Sequence, residues 1–181
     1  VRDQTMNKAI FLDRDGVLNK AIVREGKSYP PDTIEAFHLI DGVKGACNAL
    51  KAAGYLLIVV TNQPDVATGK QTMAKVQEMH DRLGKMLPLD DIFACFHVDA
   101  EGCACRKPKP GMLLEAARKH EIDLTSSFMV GDRWRDIEAG NSAGCASIFI
   151  DYGYDEKRPE HCAETVFDLR EASKYILEIP R

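Results

Sequence analysis

Long apolar runs are missing from this sequence. None of its 181 residues sits in a stretch approaching the ~18 that a membrane-spanning helix needs, and no basic-then-apolar leader opens the chain. An excess of positive charge is missing as well: 24 Lys+Arg face 28 Asp+Glu, for a net charge of −4. No basic stripe is interleaved with aromatics, so a general binder of nucleic-acid backbones is excluded, although a local basic pocket is not. Internal repeats and low-complexity tracts are also absent. What remains is the expectation of one cytoplasmic domain, residues 1–181, monomeric, with no membrane and no nucleic-acid partner. Hydrophobic residues at 45% suffice for a core. With no secretion signal expected, the six cysteines are expected to be reduced thiols or metal ligands rather than disulfides.

Short strand-like runs alternate with longer helical stretches. Buried strands are expected at 8–12, 55–60, 128–130 and 145–150, with a weaker one at 92–97. Helical spacing covers 42–53, 72–86, 111–120, 132–143 and 169–177, and Gly54 closes the first of these. This alternation predicts an α/β, Rossmann-like fold: a parallel sheet with helices on both faces. Residues 19–40 show no period and hold Gly26, Pro30 and Pro31, so they read as a long functional loop, a candidate substrate lid.

Ligands in such sheets bind beyond the carboxyl ends of the strands, so the residues leaving each strand carry the most information. After the first comes Asp13-Arg14-Asp15-Gly16, after the second Thr61-Asn62-Gln63, and after the fourth Gly131-Asp132-Arg133-Trp134-Arg135-Asp136. Arg106-Lys107-Pro108-Lys109-Pro110-Gly111 precedes a helix. Each has a plainer reading: a turn through Gly16, ordinary turn residues, a solvated basic loop, an N-cap at Asp132. Four such sites in one chain, supplying carboxylates, a hydroxyl and a lysine, make coincidence a poor account.

These four segments (LDRDGVL, VVTNQ, RKPKPG and MVGDRWRD) resemble the four motifs of the haloacid dehalogenase (HAD) superfamily of phosphotransferases. The resemblance spans nearly the whole chain. It implies that Asp13 is a nucleophile forming an aspartyl-phosphate and that Asp15 is the acid and then the base. It also implies Mg2+ held by Asp13, Asp132 and the Asp15 backbone carbonyl, with Thr61, the Asn62 backbone amide and Lys107 on the transferring oxygens. Asp136 would support the metal's surroundings or position Lys107. Arg14 and Gln63 complete the expected substrate-binding set at these motifs. The intervals between motifs are filled by the elements already assigned, so no cap domain fits and the site is expected to be open.

Cys95-x-His97 and Cys103-x-Cys105 place three thiols and an imidazole in one short loop, 95–105. Three cysteines and one histidine, leaving no open position, predict a structural Zn2+ that stiffens the loop delivering Arg106 and Lys107. Cys47, Cys145 and Cys162 are expected in helix or strand contexts, and the remaining histidines in structural or surface positions. A capless HAD chain with this loop next to RKP is similar to the heptose-1,7-bisphosphate 7-phosphatase family, with histidinol-phosphate phosphatases as near relatives. That similarity implies removal of a 7-phosphate in nucleotide-activated heptose biosynthesis, a small phosphosugar substrate, and Arg106, with Arg133 beside it, on the distal phosphate or sugar. An alternative of another class is a phosphosugar-binding protein that has lost its chemistry. The stretch Pro64-Asp65-Val66-Ala67-Thr68-Gly69 departs from the family's usual S-G-I-A-R-G.

Overall fold

The structure, a computed structural model, describes residues 6–179. Six parallel strands form the sheet: β1 (Lys8–Leu12), β4 (Tyr55–Asn62), β5 (Asp91–Cys95), β6 (Phe128–Gly131), β7 (Ala146–Ile150) and β8 (Glu164–Val166), in spatial order β5-β4-β1-β6-β7-β8. β1 is central, with Ile10 opposite Leu57 on one side and Phe128 on the other. Because side chains alternate along a strand, the core divides into two layers. Ile10, Leu12, Leu57 and Val59 face one layer with α1 (Val43–Ala52), α2 (Met73–Met86) and α5 (Leu169–Glu178). Ala9, Phe11, Ile58 and Val60 face the other, with α3 (Gly111–His120) and α4 (Trp134–Ala143). Burial on both faces is why these strands read as continuous apolar runs.

Local signals set the ends of the elements. Thr72 caps α2 by accepting from Lys75 N at 3.3 Å, and Asp168 caps α5 by accepting from Glu171 N at 3.0 Å. Helix α4 starts at Trp134 rather than 132, and Asp132 is not its cap: Arg133 holds that position and its N–H donates to Asp136 Oδ2 at 3.0 Å. Strand β8 was not expected; three residues are too few to carry a period.

Residues 19–40 are more ordered than a plain loop. β2 (Ile22–Arg24) and β3 (Lys27–Tyr29) form an antiparallel hairpin. Its two turn residues, Glu25 and Gly26, have φ of 50° and 73°, the left-handed pair that a two-residue hairpin turn requires. The segment is tied at several points: Asp155 N donates to Gly26 O in the hairpin turn at 2.9 Å, and beyond the hairpin Gln71 Nε2 donates to Asp32 O at 3.3 Å and Arg82 Nη1 to Ile34 O at 3.1 Å. Phe37 is buried in the core below it. Cys47 lies in α1 as expected, but Cys145 and Cys162 fall outside the elements, Cys162 in an exposed loop. No helix among the described residues is long and apolar enough to cross a membrane.

Candidate active site

The order of strand addition reverses beside β1: from β1 the connections run toward β4 and β5, and from β6 toward β7 and β8. The crevice at such a reversal collects the strand-end residues. Asp13 leaves β1, Asp132 leaves β6, and Lys107 arrives from the loop after β5. Carboxylate oxygens of Asp13, Asp132 and Asp136 lie within 4.8 Å of one another, all three buried. Lys107 Nζ, 1% exposed as a residue, sits 2.9 Å from Asp13 Oδ1, 2.6 Å from Asp136 Oδ1 and 2.7 Å from the Val60 carbonyl. The "solvated basic loop" reading of RKPKPG therefore fails at Lys107, while Lys109 keeps it, exposed and stitched to the Gly102 and Cys103 carbonyls at 2.9 Å each.

Three carboxylates crowd around one ammonium in a desolvated space, and this sets the titration of Asp13 and Asp132. Burial, reinforced by the charges of Asp136 and Asp15, outweighs Lys107 and pushes Asp13 up to about 6. Burial and the charges of Asp13 and Asp136 raise Asp132 well above the usual carboxylate range. Burial alone would lower Lys107, but Asp13 and Asp136 hold it above its ordinary value, so it stays an ammonium. Asp132 Oδ2 accepts the Tyr154 hydroxyl at 2.9 Å, whereas Oδ1 is buried with no partner among the described residues. An orphaned carboxylate oxygen in a surplus of buried negative charge fits a hard divalent cation with oxygen ligands. Gly16 makes the approach possible: its φ is 87°, and a Cβ there would lie 2.0 Å from Asp132 Oδ2.

Above this cluster is a cavity of about 180 Å³. Its floor is Asp13, Asp15, Lys107 and Asp136. Arg106, Arg133 and Arg135 stand on its walls with Asn62, Pro64 and Asp65, and the β2–β3 hairpin contributes Ser28, Tyr29 and Pro30. The carboxylate of Asp65 has no partner among the described residues.

The Cys95, His97, Cys103 and Cys105 ligand atoms form a second compact group. Cys105 Sγ is 3.1 Å from Cys95 Sγ and 3.3 Å from Cys103 Sγ, and His97 Nδ1 is 3.3 Å from Cys105 Sγ. All the thiols are free. Zn–S bonds of about 2.3 Å in a tetrahedron put sulfurs ~3.8 Å apart, close to the 3.7 Å between Cys95 and Cys103. Burial foremost pushes Cys95 up to about 12; burial also opposes ionisation of Cys103, but hydrogen bonds led by that from Cys105 bring it down to about 7. A donor set of three sulfurs and one imidazole nitrogen fits Zn2+.

A family profile described as HAD-hydrolase-like matches residues 104–172. The D-glycero-beta-D-manno-heptose-1,7-bisphosphate 7-phosphatase of Pasteurella multocida is 43% identical over 149 residues, 76% of this chain and 78% of that protein. The chain belongs to the heptose-bisphosphate phosphatase family of HAD-like hydrolases. The Campylobacter jejuni relative, 36% identical over 79% of this chain and 81% of its own, is named for the alpha anomer. The crystal structure of D,D-heptose 1,7-bisphosphate phosphatase from B. bronchiseptica, complexed with magnesium and phosphate, superposes with a TM-score of 0.81 at 32% identity, covering 96% of this chain and 99% of that one.

Within this HAD-like site, several residues do work other than that expected from sequence. Arg14 does not face the cavity: it is fully buried, and its guanidinium forks onto Asp15, with Nη2 at 3.0 and 3.1 Å from the two carboxylate oxygens. Gln63, also buried, donates to Asp15 Oδ2 at 2.8 Å and to Thr61 Oγ1 at 2.9 Å. Both hold Asp15, Arg14 from the turn after β1 and Gln63 from the end of β4. Thr61 is buried, and since its hydroxyl accepts from Gln63 its own proton is left to donate. The Asn62 side-chain amide clasps the Lys107 backbone, donating to its carbonyl and accepting its N–H at 3.1 Å each. Arg106 and Arg133 do line the cavity; Arg133 Nε also pairs with Glu156 at 3.0 and 3.1 Å. The chain does turn through Gly16, at φ 87°, and backbone groups close that turn: the Arg14 carbonyl accepts from Leu18 N at 2.9 Å and Asn19 N at 3.2 Å.

Sequence reasoning missed Asn19, Tyr154, Glu156, Asp99 and Arg135. Asn19 Nδ2 donates to Asp15 Oδ1 at 2.9 Å, four residues along the same motif. Tyr154 and Glu156 lie just past β7, so inspecting the residues that leave that strand as well would have found them. His80, from α2, is buried; burial first, then the Arg14 charge, lower it to about 4, so it stands neutral beneath the Asp15 network.

Proposed function

We propose that the protein is a phosphomonoesterase that removes the 7-phosphate of D-glycero-D-manno-heptose 1,7-bisphosphate in the cytoplasm, within nucleotide-activated heptose biosynthesis. The observation that carries this is the buried Asp13–Lys107–Asp136 cluster, with Asp132 beside it, at the floor of an arginine-walled cavity. The family likeness adds the substrate class. Free thiols support a reducing compartment. In this reading the working unit is a monomer, with residues 1–181 as one phosphatase domain.

In this reading Lys107 orients the Asp13 carboxylate through Oδ1, and an Asp13 oxygen attacks phosphorus as the P–O bond to the sugar breaks. Asp15, fixed by Arg14, Asn19 and Gln63, gives a proton to the leaving sugar oxygen. It then takes a proton from the water that hydrolyses the aspartyl-phosphate and releases phosphate. Thr61 donates to the transferring oxygens, as does the Asn62 backbone amide, and Lys107 offsets their charge. Mg2+, held by Asp13, Asp132 and the Asp15 carbonyl, would supply the charge that lets two anions meet. Asp136 positions Lys107 rather than touching substrate. Zn2+ on Cys95, His97, Cys103 and Cys105 would be structural, fixing the loop that presents Arg106.

Steady-state kinetics with Mg2+ on heptose 1,7-bisphosphate, fructose 1,6-bisphosphate and histidinol phosphate test the substrate. The heptose ester is expected to give the highest kcat/KM. Faster turnover of histidinol phosphate would replace this reading with its nearest relative's.

A further inference from the structure

Between the zinc-loop residues His97 and Cys103 lies an acid with no part in the chemistry so far. Asp99 Oδ1 accepts from Arg106 Nε at 2.8 Å and from Arg135 Nη1 at 3.2 Å, and Asp99 Oδ2 lies 3.4 Å from Arg135 Nη2. The two arginines come from unconnected places: Arg106 is next in the chain after Cys105, and Arg135 is in the first turn of α4. Both line the cavity above Asp13. One carboxylate against two guanidiniums leaves a net positive charge on that wall, and most of the ten N–H donors stay unspent. Arg106 Nη1 is buried without a partner among the described residues. Arg135 is backed by the Trp134 ring, 4.8 Å from its guanidinium carbon, which limits where its fork can point.

We propose that Asp99 holds Arg106 and Arg135 side by side, so that Arg135 becomes a second specificity-determining guanidinium for the substrate's distal anionic group. This rests on the phosphatase reading above and goes beyond it in two residues, Asp99 and Arg135. Asp99 is a positioning residue. It couples the Cys/His loop to binding, because its place in the fold is set by the ligands on either side of it. A phosphate has oxygens enough to take one fork from each arginine, whereas a neutral sugar end offers no charge to either.

The test compares two esters with the same scissile group, heptose 1,7-bisphosphate and heptose 7-phosphate, using the intact protein with its metals. The wild type is expected to favour the bisphosphate at least tenfold in kcat/KM. Arg135→Gln cuts that preference about tenfold, with the loss in KM; Arg135→Lys restores part of it. Asp99→Asn cuts it at least threefold. Arg135 is partly exposed, so its variants carry the test even if Asp99→Asn folds poorly. The inference is overturned if the wild type treats both esters alike, if the variants lower both rates in parallel, or if the ratio stays fixed. Activity without discrimination refutes this inference alone; no turnover of either ester refutes the phosphatase reading and this inference with it.

Discussion

Replacing Lys107 by Met removes the one ammonium from among buried carboxylates while keeping most of the side-chain volume. Lys107 and Asp136 are each at most 3% exposed as side chains and Asp13 11%, so water cannot take over the lost role. Breaking a buried pair by deleting one partner costs about 3–5 kcal/mol, because the survivors are left as uncompensated charge. With a urea slope of about 2 kcal/mol/M, the unfolding midpoint should fall by about 1.5–2.5 M at pH 7.5. EDTA must be present, since a bound cation would mask the loss. The sign of the pH dependence is fixed by Asp13. Its folded pKa, about 6, is raised above the ordinary 3.8, so the folded state is favoured below that range and loses stability as pH rises through about 6. Without Lys107 that loss extends to higher pH. The gap between wild type and variant should therefore narrow at pH 5. Equal midpoints at pH 7.5, or a gap unchanged at pH 5, would refute the reading of this cluster as charge-driven.

The same surplus of carboxylates predicts that Mg2+ raises the melting temperature more at pH 7.5 than at pH 5, where Asp13 is protonated; equal shifts would show that the cation binds elsewhere. Gly16→Ala sets a Cβ against Asp132 at positive φ, and should cost at least ~1 kcal/mol in urea melts together with most of the Mg2+-dependent shift. Elemental analysis of protein purified without added metal should find about one zinc per chain, and a zinc content near zero with all thiols reactive would remove zinc from the account.

The parallel sheet was legible because β1, β4, β6 and β7 are buried on both faces and so appear as unbroken apolar runs. β8 and the β2–β3 hairpin were not: three-residue strands leave no period, and the segment that holds the hairpin is tied by Asp155 at its turn and by Gln71 and Arg82 just beyond it, all remote in sequence. Asp13, Asp132 and Lys107 could be picked out because strand ends and helix starts have fixed places in such a sheet. A motif names its residues without saying which way each side chain points, so the packing of Arg14 and Gln63 against Asp15 could not be read from it. Asp99 and Arg135 escaped notice for a related reason: their meeting depends on the loop after β5 folding back over α4.

The most direct measurement tracks heptose 1,7-bisphosphate by phosphorus NMR with the wild type and Asp13→Asn, both checked as folded. The wild type should release the 7-phosphate as inorganic phosphate and leave the 1-phosphate in place, and Asp13→Asn should release none. Release of the 1-phosphate, or near-normal turnover by Asp13→Asn, would contradict the account.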